Sequence, residues 1–443
     1  MIKRTLHQIW NERKQNAWLF LELFVVSLFV WLACDSLTDL LSRKFIPRNL
    51  DCDNVYEIRF GMYRDGSTRY DPKLEDDMLV GEAYMQCLNI IKDLPEVETY
   101  AISDGLPAIS GGSALTVTVD STQRADRSPA KIRVYSFSIY SSDYFRVYGI
   151  KDILSGKIAE YKADTQSGIP NVYITEMVAM ELFGTTDCVG QEFFNVYVNR
   201  LRYRVSGVIE NIQWYLYRGY VPMMFEMSNM PAGADGGILP HRSLSIRLKK
   251  GVNAHKFEKR FREEIMPKLR AGNYYCNYIK AVKDEEGADN EQRGLYNLSR
   301  QTIILSLFAL LCGFMGIFGT FWLRASARRR EIGIMQSIGA TRAAIVKQFV
   351  TEAVALSTIA FVLAMPLVLH KLYVSGFAHP MENIPGMNSD YGKYEYFLHN
   401  TYLLRFVVTT VASYLLVLTI SIVGATIPTA ATVKEQPANA LKE

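Results

Sequence analysis

The sequence predicts a membrane α-helical protein with four transmembrane helices and, between the first two, an α+β extracytoplasmic domain. Three observations predict this class. Long apolar runs occupy the first tenth and the last third of the 443 residues, the middle has the composition of a soluble domain, and basic residues gather beside the apolar runs. Clustered Lys and Arg in short loops mark the cytoplasmic side of a membrane. The net charge of +4 is small for this length and does not indicate nucleic-acid binding.

The first apolar run, residues 17–36, is predicted to be transmembrane helix 1. A cleaved signal peptide is the competing interpretation, but residues 32–35 form a poor cleavage site, which favours an uncleaved anchor. Residues 1–16 are either a cytoplasmic amphipathic leader or simply a basic segment before the span. Both interpretations place this end in the cytoplasm.

Two further features of this run are an acidic residue inside it and a helical pattern that continues beyond it. Glu22 lies one turn from Trp18, which favours snorkelling or pairing in a helix bundle over an ion-coupling site. Residues 35–41 keep helical spacing, so the helix is expected to rise from the membrane as a stalk.

Residues 37–300 contain no spanning segment and are predicted to be the extracytoplasmic domain. Two similar β-α-β units bracket this block, one over residues 55–102 and one over 244–282, with Asn253 as a helix cap in the second. Two such units predict a split, ferredoxin-like layer. Residues 104–242 are predicted to form an inserted β-rich subdomain. Its strand candidates are 115–119, 132–137, 171–175, 193–198, 203–209 and 221–225, and its one helix, 176–183, is expected to end at Gly184.

The six cysteines divide into two groups. Cys34 and Cys312 lie in or beside apolar runs and are interpreted as packing residues. An oxidising compartment would allow disulfides among the four in the middle block, but their irregular spacing leaves the pairing open. These four are Cys52, Cys87, Cys188 and Cys276. No Cys-x-x-Cys or His-Glu-x-x-His pattern supports a metal site.

Residues 301–443 contain the other three predicted spans, at about 303–323, 349–369 and 404–427. Pro366 is expected to kink or break the third span, and Pro428 to close the fourth. Small residues recur every third position in the second span. They form either a dimer seam or a packing face inside one subunit. These residues are Gly313, Gly316 and Gly319.

The loop over residues 324–347 is the most informative stretch of the sequence. Its run Arg328–Arg330 cannot lie in lipid and marks the cytoplasmic side, whether it only sets topology or also binds the anionic leaflet. Apolar residues at helical spacing, followed by Gly339, predict a short amphipathic helix to which a partner can dock. The predicted apolar face consists of Ile332, Met335, Ile338 and Ala340.

The sequence offers no chemistry of its own for driving transport. It has no phosphate-binding loop and no nucleophile elbow. Ion coupling requires ionisable residues at mid-membrane, whereas Glu22 and Glu352 lie near the predicted cytoplasmic edge. A partner ATPase is therefore the favoured source of energy.

The loop motif resembles the cytoplasmic loop of the FtsX-like permease domain in the MacB family (type VII) of ABC transporters. It reads Arg328-x-x-Glu331-Ile332-Gly333-Ile334-x-x-Ser337-Ile338-Gly339-Ala340-Thr341. Residues 144–149, 154–157, 179–184 and 205–209 are similar to that family's MacB-like periplasmic core domain, and residues 437–441 to its C-terminal end. The order and spacing of these segments fit the family along nearly the whole chain.

This resemblance implies a non-catalytic permease subunit that uses mechanotransmission to extrude a substrate on the outer side of the inner membrane. A separate ATP-binding subunit would bind ATP and Mg²⁺, so no cofactor is expected on this chain. A second permease copy would complete a homodimer or a paralogous heterodimer. A periplasmic adaptor and an outer-membrane channel would be further partners in an efflux assembly. Both termini would be cytoplasmic and the large domain periplasmic.

The resemblance also assigns the loop helix as the coupling element for the ATPase. The residues expected to serve this coupling are Arg328, Arg330, Glu331, Ile332, Gly333, Ile334, Met335, Ile338, Gly339, Ala340 and Thr341. Replacing Glu331 with Lys together with Met335 with Asp is expected to uncouple ATP turnover without preventing membrane insertion.

Three other functions remain as alternatives. An FtsX-like signal relay would activate cell-wall hydrolases, but such relays have a much smaller outer domain. A lipoprotein-release permease would share the architecture described above. An ion-coupled carrier fits least, because there are few spans and no charges at the midplane. The substrate is not encoded in any motif.

Overall fold

The computed structural model describes residues 13–44, 46–106, 110–119, 131–141, 143–160, 168–198, 201–213, 220–292, 294–375 and 402–433. Most of the predicted leader, the segment 376–401 and the tail 434–443 with its family-like residues lie outside this description. The chain forms two compact units. The helical unit comprises the described residues within 1–44 and 296–443, and the α/β unit those within 45–295.

The helices are numbered in chain order. They are α1 Arg13–Lys44, α2 Asp77–Lys92, α3 Tyr144–Tyr148, α4 Glu176–Phe183, α5 Ala254–Arg260, α6 Val282–Gln292, α7 Leu295–Ala327, α8 Arg329–Ser337, α9 Arg342–Ser375 and α10 Tyr402–Val433. Short 3₁₀ helices cover Pro72–Leu74, Gly233–His241 and Met266–Lys268, and a π-helical turn covers Phe261–Ile265.

The strands are likewise numbered in chain order. They are β1 Val55–Met62, β2 Val97–Ser103, β3 Gly105–Leu106, β4 Ser110–Gly111, β5 Ser113–Thr118, β6 Lys131–Ile139, β7 Asn171–Thr175, β8 Glu192–Asn195, β9 Arg202–Ile209, β10 Met223–Met227, β11 Ser243–Leu248, β12 Arg270–Ala271 and β13 Tyr274–Ala281.

The helical unit contains the four transmembrane helices. The segments long and apolar enough to cross a membrane are Ala17–Ser42, Tyr296–Ala327, Arg342–Val374 and Leu403–Val433. They are longer than the predicted spans, and α1 continues to Lys44, as expected for a stalk. Apolar side chains from α1, α7, α9 and α10 form the core of the bundle, and α7 is the least buried of the four helices.

Two prolines lie inside helices. The sequence analysis predicted that one would kink or break its helix and that the other would end its helix. Helix α9 continues through Pro366, and α10 continues through Pro428 to Val433. The expectations of a break at Pro366 and of closure at Pro428 are therefore wrong. A proline removes one backbone hydrogen bond, and neighbouring Ser or Thr side chains can compensate within long transmembrane helices. In the turn after Pro428, the hydroxyl of Thr432 donates to the carbonyl of Pro428 at 3.0 Å.

The strands that flank the inserted subdomain in the sequence form the predicted split layer. The strand order is β2-β11-β1-β13, and every neighbouring pair is antiparallel. Helix α2 connects β1 to β2, and α5 connects β11 to β13, so the two β-α-β units interleave as in a ferredoxin-like fold. Asn253 caps α5 as predicted, accepting a hydrogen bond from the backbone N–H of Lys256 at 3.0 Å.

The inserted subdomain closes into a six-stranded barrel. Its strands pair in the order β10-β7-β9-β8-β5-β6, and β6 returns to β10 as a parallel neighbour. All six predicted strands are present, but their closure was not predicted. Closure removes exposed strand edges and encloses a second apolar core that includes Val134, Ile174 and Phe193. Strands β2 and β6 pair at Ser103 and Ile139, and the backbone N–H of Tyr140 donates to the carbonyl of Ile102 at 2.9 Å, which joins the barrel to the split layer.

All six cysteines are free thiols. Cys87 and Cys276 belong to the core of the split layer, and Cys188 to that of the barrel. Cys52 is buried as well. Such burial is typical of free cysteine, which behaves as a small apolar residue.

Candidate coupling site

Helix α8 is the predicted loop helix. Arg328 alone separates it from α7, and α9 begins at Arg342. The connection between the two spans is thus shorter than the predicted loop of residues 324–347. Gly339 ends the element with a φ of +94°, in the left-handed region that glycine adopts without steric cost.

One face of α8 packs against the helical unit. Ile332 is buried in a cluster with Ile345 and Phe349 of α9 and Val433 of α10. Met335 and Ala340 pack against the same cluster, and Gly333 is also buried. The side-chain amide of Gln336 donates to the carbonyl of Val433 at 2.8 Å. These contacts hold α8 against α9 and α10.

A network of alternating charges fastens the start of α8. Glu352 of α9, which is 4% exposed, accepts hydrogen bonds from Arg324 of α7 and, at 3.0 Å, from Nη1 of Arg328. The remaining nitrogens of Arg328 bind Glu331 of α8, at 2.5 Å from Nε and 2.8 Å from Nη2. The guanidinium also lies 5.0 Å from the ring centroid of Phe349. Two arginines and two glutamates thus join three helices.

This network gives Arg328 contacts that the sequence analysis did not predict. Its side chain is only 13% exposed and is engaged by two carboxylates. Arg330, in contrast, is exposed. The sequence noted Glu352 only for its position. A lone carboxylate in an apolar helix needs a positive partner, which was the available signal that Glu352 is paired.

The exposed surface of α8 carries two isoleucines. Ile334 is 45% exposed and Ile338 is 81% exposed. Ile334 lies two residues after the buried Ile332, roughly 200° around the helix. Of the apolar face predicted as a docking surface, Ile332 is buried and Met335 and Ala340 pack against the helical unit, so Ile338 is its exposed member. Gly339 and Thr341 are exposed beside it.

The glycines of α7 differ in their surroundings. A Cβ at Gly313 would lie 3.1 Å from Cγ1 of Val26, and one at Gly316 would lie 2.9 Å from Oε1 of Glu22. Both positions therefore pack against α1 of the same chain. Glu22 also accepts a hydrogen bond from Thr320, which gives it a partner inside the bundle. A Cβ at Gly319 would meet no atom within 4 Å, so this position is open.

A second charge cluster joins α1 to α10, and the sequence analysis did not predict it. Arg405 donates from Nε and Nη2 to the two carboxylate oxygens of Asp35, both at 3.1 Å. Its Nη1 lies 3.3 Å from Oδ1 of Asp39. All three residues are buried. Two aspartates four residues apart at the end of an apolar helix were the available signal, since they share one face.

The α/β unit holds a buried carboxylate with a different partner. Burial, and next the neighbouring carboxyl of Glu285, raise the pKa of the Glu57 carboxyl to about 8 against the opposing charge of Arg59. Nε of Arg59 lies 2.5 Å from Oε1 of Glu57. Within the described part of the chain, no group of three or more His, Cys, Asp or Glu side chains is suited to hold a metal ion.

Two family models match the sequence. The model described as MacB-like periplasmic core domain matches residues 33–264, and the FtsX-like permease C-terminal model matches residues 303–437. Both matches agree with the resemblance seen in the sequence.

Two curated relatives are similar over about half of the chain. The probable syringafactin export ATP-binding/permease protein SyfD of Pseudomonas syringae pv. tomato is 26% identical over 218 residues, covering 48% of this chain and 31% of the relative. The macrolide export ATP-binding/permease protein MacB of Nitrobacter winogradskyi is 27% identical over 221 residues, covering 46% and 31%. The matched part of this chain thus spans about a third of each relative.

Two solved structures are similar at low identity. The periplasmic region of MacB from Actinobacillus actinomycetemcomitans is 13% identical with a TM-score of 0.30, covering 56% of this chain and 96% of that one. The extracellular domain of the noncanonic ABC-type transporter YknZ from Gram-positive bacteria is 15% identical with a TM-score of 0.30, covering 50% and 99%.

Proposed function

Because the chain belongs to the MacB family of permeases, with a MacB-like periplasmic core domain and an FtsX-like permease domain, we propose that it is the permease subunit of an ABC-type exporter. ATP hydrolysis by a partner moves the helical unit, and the α/β unit uses this movement to extrude a substrate on the outer side of the membrane. The chain itself is non-catalytic, and the partner binds ATP and Mg²⁺. The names of both curated relatives combine ATP binding with a permease, which supports such a partner.

The observation that carries this proposal is the exposed pair Ile334 and Ile338 on a helix whose other face is fixed to the spans. An ATP-binding subunit that covers this pair removes two large apolar side chains from water, at about 1.5–3 kcal/mol each. Arg330 and Thr341 flank the pair and provide polar contacts at its rim. A rigidly held helix with an exposed apolar end is suited to transmit the movement of an ATP-binding subunit to the spans.

The proposed orientation follows from this docking. Helix α8 and both chain ends face the cytoplasm, and the α/β unit lies in the periplasm. A second permease copy packs against α7, which is the least buried span and carries the open position at Gly319. In an efflux assembly, a periplasmic adaptor and an outer-membrane channel complete the path. Lipoprotein release from the same architecture differs in the substrate and leaves the docking unchanged.

The structure guides the choice of test variants. Glu331→Lys with Met335→Asp breaks the charge network and the buried cluster, so it does not isolate docking. Ile334→Asp and Ile338→Asp change only the exposed pair. Val189→Asp is the matched control, since Val189 is an apolar side chain of the α/β unit that is 51% exposed.

The measurement is the affinity of the purified full chain for its ABC ATPase, together with ATP turnover of the complex. Either isoleucine variant is expected to weaken binding by about tenfold or more, as for a truncated apolar anchor at an interface. The Val189 variant is expected to bind like the wild type. Normal binding by both isoleucine variants would refute the proposed docking surface.

A further inference from the structure

Glu352 occupies a position that docking alone does not explain. It is a buried carboxylate of α9, and the two arginines that it binds lie four residues apart, at and just before the junction of α7 and α8. Arg324 lies in the last turn of α7, and Arg328 is the residue that separates α7 from α8. We propose that Glu352 is a positioning residue that makes α7, α8 and α9 move as one body when a partner acts on α8. This inference rests on the proposed function.

The link between α7 and α8 needs such a constraint. Arg328 has φ of −96° and ψ of 16°, so the helical path is interrupted at this residue. A single non-helical residue between two helices is a natural hinge, because its two dihedral angles can change without breaking either helix. Glu352 binds Arg324 before this point and Arg328 at it, and Arg328 in turn binds Glu331 of α8. The network therefore ties both sides of the hinge to a third helix.

The apolar contacts of α8 do not perform the same task. The cluster around Ile332 includes residues of α8, α9 and α10. The charge network adds α7 through Arg324. Glu331 cannot replace Glu352, because its bond to Arg328 spans only three residues and remains local to the connection. Of the two glutamates, Glu352 is thus the one that joins the α7–α8 junction to α9.

The chemistry favours a lasting connection. Charge-assisted hydrogen bonds from guanidinium groups to a carboxylate are directional and stronger than neutral ones, and burial weakens competition from water. Glutamine at this position has nearly the same volume, but it lacks the negative charge that holds two guanidinium groups together. The inference therefore separates two roles: Ile334 and Ile338 bind the partner, and Glu352 transmits its movement to the spans.

A spin-label experiment tests the connection directly and without a substrate. Cysteines at the exposed positions Ser326 and Ala343 place one label near the end of α7 and one near the start of α9, in a Cys312→Ser background that removes the exposed native thiol. The full chain in lipid nanodiscs is expected to give one narrow distance distribution. Glu352→Gln is expected to broaden or shift it, and Lys347→Gln, which neutralises an exposed charge on the same helix, to leave it unchanged.

The functional arm adds the ABC ATPase. Glu352→Gln is expected to bind the ATPase within about twofold of the wild type but to lose about tenfold of its stimulation of ATP turnover, a typical coupling between sites. Glu352→Asp, which keeps the charge, is expected to recover part of that stimulation. If Glu352→Gln does not fold, Arg324→Lys tests the same bond, because it keeps the charge and removes the guanidinium fork.

The outcomes separate the two proposals. A wild-type distance distribution and full stimulation in Glu352→Gln, or in Arg324→Lys where that variant is used, would overturn the role of Glu352. If the wild-type chain binds no ABC ATPase, the proposed function fails, while the distance measurement without a partner still decides whether Glu352 joins the helices.

Discussion

The helical unit and the α/β unit both bury carboxylates, but they neutralise them in different ways. In the helical unit, guanidinium groups surround each one: Arg405 binds Asp35 and Asp39, and two arginines bind Glu352. In the α/β unit, Glu57 is 1% exposed, and although Arg59 lies 2.5 Å from it, burial and the carboxyl group of Glu285 raise its pKa enough to favour the protonated form at neutral pH.

This difference predicts how the stability of each unit responds to the loss of a charge and to pH. An ion pair between helices fixes their relative position, and its charges stay in place because either one alone is costly to bury. A carboxyl pair is neutralised by a proton, so its stability depends on pH. The helical unit is therefore expected to respond to loss of a partner charge, and the α/β unit to respond to protons. Two predictions test this comparison, and two further predictions compare close packing in the same two units.

The largest effect is expected from Arg405→Met. It leaves two buried aspartates without their guanidinium, and removing one partner of a buried ion pair costs about 3–5 kcal/mol. Thermal unfolding of the full chain in detergent measures the loss. Asp35→Asn and Asp39→Asn combined with Arg405→Met removes the orphaned charges and is expected to regain most of the stability. An unchanged midpoint for Arg405→Met alone would contradict the structural role of this cluster.

The second effect concerns pH and the α/β unit. The raised pKa of Glu57 means that the folded state holds its proton above the ordinary value of 4.5, so the contribution of Glu57 to stability is full below about pH 4.5 and falls as pH rises to about 8. Each pH unit in this window is worth about 1.4 kcal/mol at most. Glu57→Gln is expected to flatten this slope in denaturant titrations from pH 5 to pH 8. An equal slope in the variant would refute the assignment.

The smallest effect concerns glycines and close packing. A Cβ at Gly81 of α2 would lie 2.7 Å from Cα of Gly236, so Gly81→Ala forces two backbone segments apart and is expected to cost about 1–3 kcal/mol. Gly287→Ala is the matched control, since Gly287 lies in α6 with no atom within 4 Å, and it is expected to be neutral or slightly stabilising. Denaturant midpoints decide between these outcomes.

Gly319 extends this test to the helical unit. Gly319→Leu is expected to leave the unfolding midpoint of one subunit unchanged, because the position is open within the chain. If a second copy covers this position, as proposed, the same variant weakens dimerisation measured by light scattering. An unchanged dimer would place the seam elsewhere.

Local signals predicted much of the fold. Strand β7 and helix α4 match their predicted bounds, because alternation, helical spacing and the left-handed Gly184 are all encoded within about ten residues. The split layer followed from two similar segments. Closure of the barrel did not, because it depends on pairing between β6 and β10, which are far apart in the sequence. The helix ends expected at the two prolines were wrong for the same reason, because packing in the bundle decides whether a helix continues.

In the candidate site, too, local features were predictable and contacts between different helices were not. Periodicity predicted α8, but it could not show which isoleucines the spans cover. Ile338 lies three residues after Met335 but about 240° around the helix from Ile332, so it falls near the exposed Ile334 and is itself exposed. The partners of Glu352 and Arg405 could not be read from spacing, because each pair joins different helices. Charged residues in apolar helices predict that a partner exists, and the packing of the helices determines which one.

The central claim is that α8 receives a partner on its exposed end and transmits force through Glu352. The most direct measurement compares Ile338→Asp and Glu352→Gln side by side for ATPase binding and for stimulated ATP turnover. The account predicts that Ile338→Asp loses both, whereas Glu352→Gln keeps binding and loses stimulation. Equal loss of binding in both variants, or full stimulation in Glu352→Gln, would contradict it.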